Sequence, residues 1–455
     1  MTERKPSPMA RREWEVVVVL APTDTSLTRS RVNRELSAPF DVELQPIFPD
    51  TGPESMKRGP LAGARSQYFG VDADDDAVDE IVQAMRSRND VASAYARPRG
   101  SVPLRPAAPS ACMAVPDLMA LQAHLGPAPG GVGAIAAWST PGGNGDDVRI
   151  LDVEENWNFA HEDLRKNKLG VVVGTPPPVG NDHGTAVIGI IGADHAFGGT
   201  IGIAFASKIG GAAISTGVAV ATTIDLAARA LRAGDILLIE WEVPGPGAAS
   251  IPVEWWPAEL LAIQTAVSRG IIVVSAAGNG RANGSGGVKL DDLPYDTAPV
   301  GASFPPDWAN PFRRGVKDSG SILVGAGAPP PGTHGNNHGP DRSRLLESNF
   351  GDCVDVQGWG REVATTGIGD ILRTGVLDAN QFYTCAFPQT SAAAAMVAAV
   401  IACVQGARKK AGKLLWDSFA ARRALRDPAN GTPQPAPATE RIGPRPNLAV
   451  LLGLP

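Results

Sequence analysis

The chain has 455 residues, of which 43% are hydrophobic and 19% are charged. This composition supplies a sizeable core and excludes wholesale disorder, which requires few apolar residues and a high density of charge. With 41 Lys and Arg against 47 Asp and Glu, the formal net charge is −6. The mildly acidic balance argues against a nucleic-acid partner and against a membrane-surface partner.

The first hundred residues are predicted to form a small α+β unit. A strand at 14–21 precedes a helix after Thr25, and the later elements are two strands, a helix and a strand, at 42–48, 67–71, 75–85 and 91–96. This β-α-β-β-α-β order is typical of the ferredoxin-like arrangement. Residues 97–110 are rich in Pro and Arg without hydrophobic periodicity, which indicates an extended linker. We therefore expect an N-terminal domain at 1–98, a linker at 99–111 and a second domain at 112–455.

The second domain is predicted to be a doubly wound α/β structure with a mostly parallel sheet. Apolar strand-like runs alternate with helix-length segments, at 148–153, 210–215, 235–242, 270–278 and 321–328. Continuously apolar strands that are separated by helices are what a parallel sheet buried on both faces requires.

The N-terminus and the cysteines bear on the cellular compartment. The first residues are polar and basic, and the apolar run at 16–21 is too short for the h-region of a signal peptide. This predicts a cytoplasmic protein, with export by a non-classical route left open. Four cysteines are too sparse for a disulfide scaffold, which favours reduced thiols. A Cys353–Cys385 pair stays open, because both residues lie in neighbouring loop-like stretches.

Three reactive polar residues lie at predicted strand ends or helix starts, where an open α/β sheet forms its site. Asp152 follows an apolar strand, His183 precedes a Gly at the start of a small-residue helix, and Ser391 precedes the apolar helix 392–404. Each residue alone is more often a cap or turn former. Together they supply a carboxylate, an imidazole and a hydroxyl, and Asn279 at another strand end can donate to an oxyanion.

These motifs resemble those of the subtilases, the subtilisin-like serine peptidases, over roughly residues 121–406. The matching segments are ILDVEENWNFAHEDL, NDHGTAVIG, SAAGNG and TSAAAAMVAAVIA. The resemblance implies a catalytic triad of Asp152, His183 and Ser391, with Asn279 in the oxyanion hole. It also implies a substrate-binding set, namely Glu240, Trp241, Glu242, Ala276 and Gly278. The N-terminal unit resembles the family's propeptide, an intramolecular chaperone and inhibitor whose tail lies in the cleft, and this implies a zymogen.

The sequence departs from the family pattern at the nucleophile and in the cleft. Gln389 stands where members usually have Gly, and Ala395 stands where they usually have Pro. Glu240 and Glu242 are two positions apart on a strand, so their side chains face the same side. Carboxylates in the cleft favour Arg or Lys in the peptide, while a pair of solvated strand-end acids is an equal alternative.

The expected function is therefore a serine endopeptidase that hydrolyses peptide bonds through an acyl-enzyme. A peptide-binding pseudoprotease and an acyl-transferring enzyme remain as alternatives. The expected partners are a protein or peptide substrate and the chain's own N-terminal domain. No histidine has a metal-ligand spacing, so no cofactor is required. Structural calcium, which subtilases often bind in loops, is not assigned to a segment.

Overall fold

The structure, a computed structural model, describes residues 14–22, 25–49, 61–101, 117–178, 182–215, 217–281, 283–294, 304–305, 308–372, 377–435 and 439–454. Its α-helices are α1 Thr25–Phe40, α2 Ala62–Arg65, α3 Val78–Arg86, α4 Ala134–Ala137, α5 Asp182–Gly192, α6 Val220–Ala230, α7 Pro257–Ser268, α8 Gln389–Lys410, α9 Ser418–Arg426 and α10 Leu448–Leu452.

The strands fall into a small N-terminal sheet, a central sheet and short hairpins. They are β1 Trp14–Leu20, β2 Leu44–Pro46, β3 Tyr68–Val71, β4 Val91–Pro98, β5 Arg149–Glu154, β6 Lys168–Val173, β7 Lys208–Ala213, β8 Ile236–Ile239, β9 Glu242–Pro244, β10 Ala249–Pro252, β11 Ile272–Ala276, β12 Gly280–Arg281, β13 Ile322–Gly327, β14 Val354–Trp359, β15 Val363–Leu372, β16 Phe382–Phe387, β17 Gly431–Thr432 and β18 Arg445–Pro446.

The N-terminal unit, residues 14–98, confirms the predicted β-α-β-β-α-β order, with the short helix α2 added before β3. Its sheet has the order β2-β3-β1-β4, and every pairing in it is antiparallel. Alternate residues of β1 point to opposite faces. Val16 and Val18 pack in the unit's own core with α1 and α3, whereas Val17 and Val19 pack in a core cluster shared with the second domain.

The second domain confirms the predicted α/β class. Seven strands form one sheet in the order β14-β13-β11-β8-β5-β7-β6, and the pairings between neighbours are parallel. The sequence prediction missed β6 and β14. It also extended β8 too far, because the strand ends at Ile239 and a separate small sheet begins with β9.

The strand order reverses at β5, and this reversal defines the edge where a site is expected. From β5 the chain passes to the edge strand β6 and returns to β7, which lies between β6 and β5, and then continues outward on the other side through β8, β11, β13 and β14. Ligands of open α/β sheets bind at the carboxyl ends of the strands beside such a reversal. The carboxyl ends of β5, β8 and β11 are adjacent here.

Helix α8 is the central helix of the second domain. It is apolar and long enough to cross a membrane by length and composition, yet its apolar window is wholly buried inside the protein. Its Ala-rich surface permits close packing. A Cβ added at Gly358 of β14, for example, would lie 2.7 Å from the backbone of Ala393. Such burial is typical of a core helix.

The linker limits and the states of the cysteines were also predicted from the sequence. Residues 102–111 of the predicted linker lie outside the described residues, so its limits stay a prediction. Cys353 and Cys403 are free, buried thiols, whereas Cys385 is disulfide-bonded. The Cys353–Cys385 pair that the sequence left open is therefore not formed.

Candidate active site

Polar residues converge on the carboxyl edge of β5, β8 and β11, and they include Glu154, which the sequence analysis did not single out. Glu154 is the last residue of β5, Glu240 follows β8, and Asn279 comes three residues after the end of β11. The backbone N–H of Glu240 donates to the carbonyl of Val153 (3.2 Å), which holds the ends of β5 and β8 level with each other. The first turn of α8, with Ser391, faces this edge through Thr390 and Asn279.

The carboxylate that contacts His183 belongs to Glu154 and not to Asp152, which corrects the pairing expected from the sequence. The distance from His183 Nδ1 to Glu154 Oε2 is 2.5 Å. Because a carboxylate oxygen can only accept, Nδ1 donates, and Nε2 is left free to accept a proton. The other oxygen of Glu154 accepts from the backbone N–H of Glu155 at 3.2 Å.

Asp152 lies two residues before Glu154 on β5, further from the sheet edge, and is fully buried. Its Oδ2 accepts a hydrogen bond from Trp157 Nε1 (2.8 Å), and its Oδ1 has no hydrogen-bond partner among the described residues. Burial raises the pKa of Asp152 well above its ordinary value, and the nearby Glu154 raises it further. Asp152 is therefore a buried carboxyl that is bonded to Trp157 and does not contact His183.

Ser391 is the third residue of α8, so it lies in the first turn, where the helix itself supplies no acceptor for the backbone N–H groups. Helices α5 and α8 pack against each other, and the His183 ring contacts Phe387 edge-on at 5.3 Å. The Ser391 hydroxyl is buried and makes no regular hydrogen bond within the described part of the chain, to His183 or to any other group. Catalytic hydrogen bonds often tighten only when substrate binds.

Gln389, at the start of the same turn, has a φ of 69°. This is the left-handed region, where a residue with a side chain is strained. Its backbone N–H donates to the carbonyl of Gly360 at 2.8 Å. The departure from Gly noted in the sequence therefore falls on a position where the backbone geometry favours Gly.

Glu240 is fully buried and lies beside Ser391. Burial raises the pKa of its carboxyl well above the ordinary value, and Asp152 and Glu154 raise it further, while contact with the Ser391 hydroxyl lowers it. Neither carboxyl oxygen makes a regular hydrogen bond to another described residue. Glu240 is thus a buried acid beside Ser391 whose charged form is disfavoured by burial.

Asn279 is held by hydrogen bonds on both sides of its amide. Its Oδ1 accepts from the backbone N–H (3.1 Å) and the hydroxyl (2.9 Å) of Thr390. Its Nδ2 donates to Glu242 Oε1 at 2.5 Å. Burial raises the pKa of Glu242 to about 8, against the opposing effect of its hydrogen bonds with Asn279, Thr390 and Ser250. The Asn279 amide nitrogen carries a second N–H that this hydrogen bond to Glu242 does not use.

The other expected substrate-binding residues lie around this point. Glu240 and Glu242 both face the site, and Trp241 between them is buried in the core. Ala276 ends β11 and packs in the core cluster that contains α8. Gly278 has a φ of 91°, and a Cβ there would lie 2.4 Å from the carbonyl of Ser250.

A short segment that follows the N-terminal unit, residues 99–101, reaches this site and is called the tail. Ser101 pairs antiparallel with Glu242. The Ser101 N–H donates to the Glu242 carbonyl at 3.0 Å, and the Glu242 N–H donates to the Ser101 carbonyl at 3.2 Å. The tail thus adds a strand beside the cleft residues.

Metal binding was not assigned from the sequence, and no group of three or more His, Cys, Asp or Glu among the described residues is placed to hold a metal ion. The functional residues that sequence reasoning missed are Glu154 and Thr390. The length of the apolar run could have identified Glu154. The run continues through Val153, so Glu154 ends the strand and lies at the sheet edge, where sites form.

The family model that matches the chain is that of the subtilase family, over residues 173–438. Fervidolysin from Fervidobacterium pennivorans, described as a keratinolytic enzyme related to subtilisin, aligns with a TM-score of 0.56 at 16% identity. That alignment covers 99% of this chain and 62% of fervidolysin, so the chain spans less than two thirds of that protein.

Two further solved structures are similar. A protease from Pseudoalteromonas arctica PAMC 21717 has a TM-score of 0.50 and 18% identity, with 75% of this chain and 99% of that chain covered. A cold-adapted subtilisin-like serine proteinase has a TM-score of 0.44 and 18% identity, with 67% and 89% covered. A search of curated protein sequences finds no significant match.

Proposed function

Because the chain belongs to the subtilase family, we propose that it is a serine endopeptidase that uses Ser391 as nucleophile, His183 as general base and Glu154 as the orienting acid. The observation that carries this proposal is the contact between Glu154 Oε2 and His183 Nδ1 at 2.5 Å, on the edge that also holds Ser391 and Asn279. The matched family segment starts at residue 173 and leaves both candidate acids outside it, so the choice of Glu154 rests on geometry.

In the proposed mechanism, His183 Nε2 takes the proton of the Ser391 hydroxyl as that oxygen attacks a peptide carbonyl. Glu154 keeps the imidazole in the required tautomer and stabilises the imidazolium that forms. The remaining N–H of the Asn279 amide and the backbone N–H of Ser391 would hold the oxyanion. His183 then protonates the leaving amine, and water hydrolyses the acyl-enzyme by the reverse sequence of proton transfers.

We further propose that the full chain is a zymogen. The antiparallel pairing of Ser101 with Glu242 supports it, because a peptide strand on the cleft edge excludes a second one. The N-terminal unit supports it as well, since its Tyr95 ring stacks on Trp256 at 5.8 Å. The proposed partners are a protein or peptide substrate and this N-terminal unit.

The geometry weakens the preference for basic residues. Both Glu240 and Glu242 are buried, and Glu242 already accepts from Asn279. Burial raises the pKa of both carboxyls, and an acid whose charged form is disfavoured attracts a cationic side chain little. As for location, the disulfide at Cys385 favours the exported alternative over the cytoplasm, because disulfides persist in oxidising compartments.

The test compares the purified full chain with Ser391→Ala. We expect self-processing and peptide turnover in the first protein and neither in the second, with product masses that correspond to hydrolysis. A fluorophosphonate should label Ser391 of processed protein. Absence of labelling together with tight peptide binding would favour the pseudoprotease, and ligated product masses would favour acyl transfer.

A further inference from the structure

The tail offers a view of how an extended peptide lies against the cleft. Two backbone hydrogen bonds join Ser101 to Glu242, at 3.0 and 3.2 Å, which is the pattern of strand addition to a sheet edge. Glu240, two residues before Glu242, contacts the Ser391 hydroxyl. An antiparallel partner of this strand therefore approaches the nucleophile as its residue number rises.

Gly100, the residue before this pair, has no room for a side chain. A Cβ built on it would lie 2.2 Å from the Glu242 carbonyl oxygen, 2.2 Å from Trp241 Nε1 and 2.7 Å from Trp241 Cδ1. Separations this short lie well inside van der Waals contact. Gly100 does not have a positive φ, so the need for glycine here is a matter of space and not of backbone conformation.

The indole that closes this space is not free to swing away. Trp241 is 4% exposed and packs in a core cluster with Val243 and Ile251. A close-packed core resists displacement of a side chain of this size. Its Nε1 makes no hydrogen bond within the described residues, so only packing sets its position.

We propose that Trp241 is a specificity-determining residue, which selects glycine at the substrate position immediately before the residue that pairs with Glu242. This inference rests on the proposed peptidase function and names its substrate class: extended peptides with glycine at that position. A side chain there must either displace the packed indole or lift the peptide from the strand, and lifting the peptide breaks the backbone pairing.

The first experiment needs no catalysis and uses the full chain carrying Ser391→Ala. Hydrogen exchange of the Ser101 and Glu242 amides is measured for Gly100→Ala, Gly100→Leu and the control Gly63→Ala, where an added Cβ meets nothing within 4 Å. We expect exchange to accelerate at least about 10-fold for both Gly100 variants and to stay unchanged for the control. Unchanged protection in Gly100→Leu would overturn the proposal.

Adding Trp241→Ala to Gly100→Ala tests the indole itself, because the peptide then has room to shift away from the Glu242 carbonyl. We expect protection to recover, with Trp241→Leu as the variant that preserves more of the core if Trp241→Ala does not fold. Failure of both double variants to regain protection, while folded, would remove Trp241 from the proposed role.

The second experiment uses self-processed protein and quenched peptides of the sequence RPRGSVPLR with Gly, Ala or Leu at the fourth position. We expect kcat/KM to fall at least about 10-fold from Gly to Ala and further to Leu. Equal turnover of the three peptides overturns the inference and leaves the peptidase function intact. No turnover of any peptide, with the exchange results as expected, rejects the peptidase function and leaves selection of glycine by the cleft in place.

Discussion

Two acids on one strand face the same side, yet their surroundings give them different chemistry. Asp152 is enclosed and bonded to Trp157, and burial raises its pKa well above the ordinary value. Glu154 ends the strand and contacts His183. Orienting a histidine and stabilising its cation require an acid in contact with the ring, and Glu154 is the one of the two acids that makes this contact.

Replacing these two acids with their amides should separate their roles. We expect Glu154→Gln to lower kcat by roughly 10⁴, the scale measured for the equivalent change in a serine peptidase of another fold, because the amide can hold the wrong tautomer. Asp152→Asn should leave kcat within a few-fold, since the amide oxygen can still accept from Trp157 and Asp152 does not contact His183. Steady-state kinetics on both variants is the measurement, and the reverse ranking would restore Asp152 as the acid.

Gln389 is strained at a φ of 69°, directly before the turn that holds Ser391. We expect Gln389→Gly to be more stable than Gln389→Ala by about 1 kcal/mol, because only glycine relieves the left-handed strain and it loses part of that gain through its unfolded-state entropy. Both variants lack the Gln side chain, so the comparison isolates the backbone. Urea unfolding of the two proteins tests this, and equal stability would mean that the position is not strained.

The strands and helices that carry the site follow from hydrophobic patterning, which is why the sequence predicted most of them. The apolar runs at β5, β8 and β11 need burial on both faces, and the parallel sheet supplies it. Strand β6 was missed because its residues are half-exposed at the sheet edge, with Val172 at 40%. The break of β8 at Glu240 was missed because it depends on tertiary contacts with Ser391 and β5.

The fold also brings together two pairs of carboxyls that are distant in the sequence, one pair on β5 and one after β8. We call these four residues the acidic cluster: Asp152, Glu154, Glu240 and Glu242. Burial raises the pKa of three of them, Asp152, Glu240 and Glu242. The sequence does not show that these acids are close in space, because each acid taken alone resembles an ordinary strand-end residue. Its protonation state then depends on how tightly the strand ends pack.

The acidic cluster predicts that stability falls as pH rises. Glu242 has an ordinary pKa of 4.5 that is raised to about 8 in the fold, so between these values the folded state holds a proton that the unfolded state has lost. Stability is fully present below about 4.5 and declines toward 8, with a slope of about 1.4 kcal/mol per pH unit for each such group.

We expect Glu242→Gln to reduce this slope between pH 5 and 8, because the amide cannot ionise and can still accept from Asn279. The measurement is the free energy of unfolding at four pH values within that range. The exposed acid Glu43 provides the matched control, and Glu43→Gln should leave the slope as it is. An unchanged slope in Glu242→Gln would show that its proton is not retained on folding.

At the scale of the whole molecule, the N-terminal unit binds helices α6 and α7 through apolar contacts and two buried arginines. Arg65 Nη1 contacts Asp225 Oδ1 at 2.5 Å, and Asp225 also accepts from Arg229 at 2.6 Å. Arg97 Nη2 contacts Glu15 at 2.7 Å, and its Nη1 forms an ion pair with Glu259. Among the described residues, Arg97 is the cation that neutralises Glu259.

The two arginines should therefore differ in how much they hold the unit in place. Arg97→Met leaves Glu15 and Glu259 buried without a cation, and removal of one partner from a buried pair costs roughly 3–5 kcal/mol. Arg65→Met leaves Asp225 paired with Arg229, so we expect the smaller effect.

In full chains carrying Ser391→Ala, amide exchange at Ser101 and Glu242 should accelerate strongly for Arg97→Met and weakly for Arg65→Met. With Ser391 intact, turnover of an added peptide by unprocessed chain should rise in the same order. Equal behaviour of both variants and the parent chain would mean that apolar packing alone, such as the stack of Tyr95 on Trp256, keeps the N-terminal unit bound.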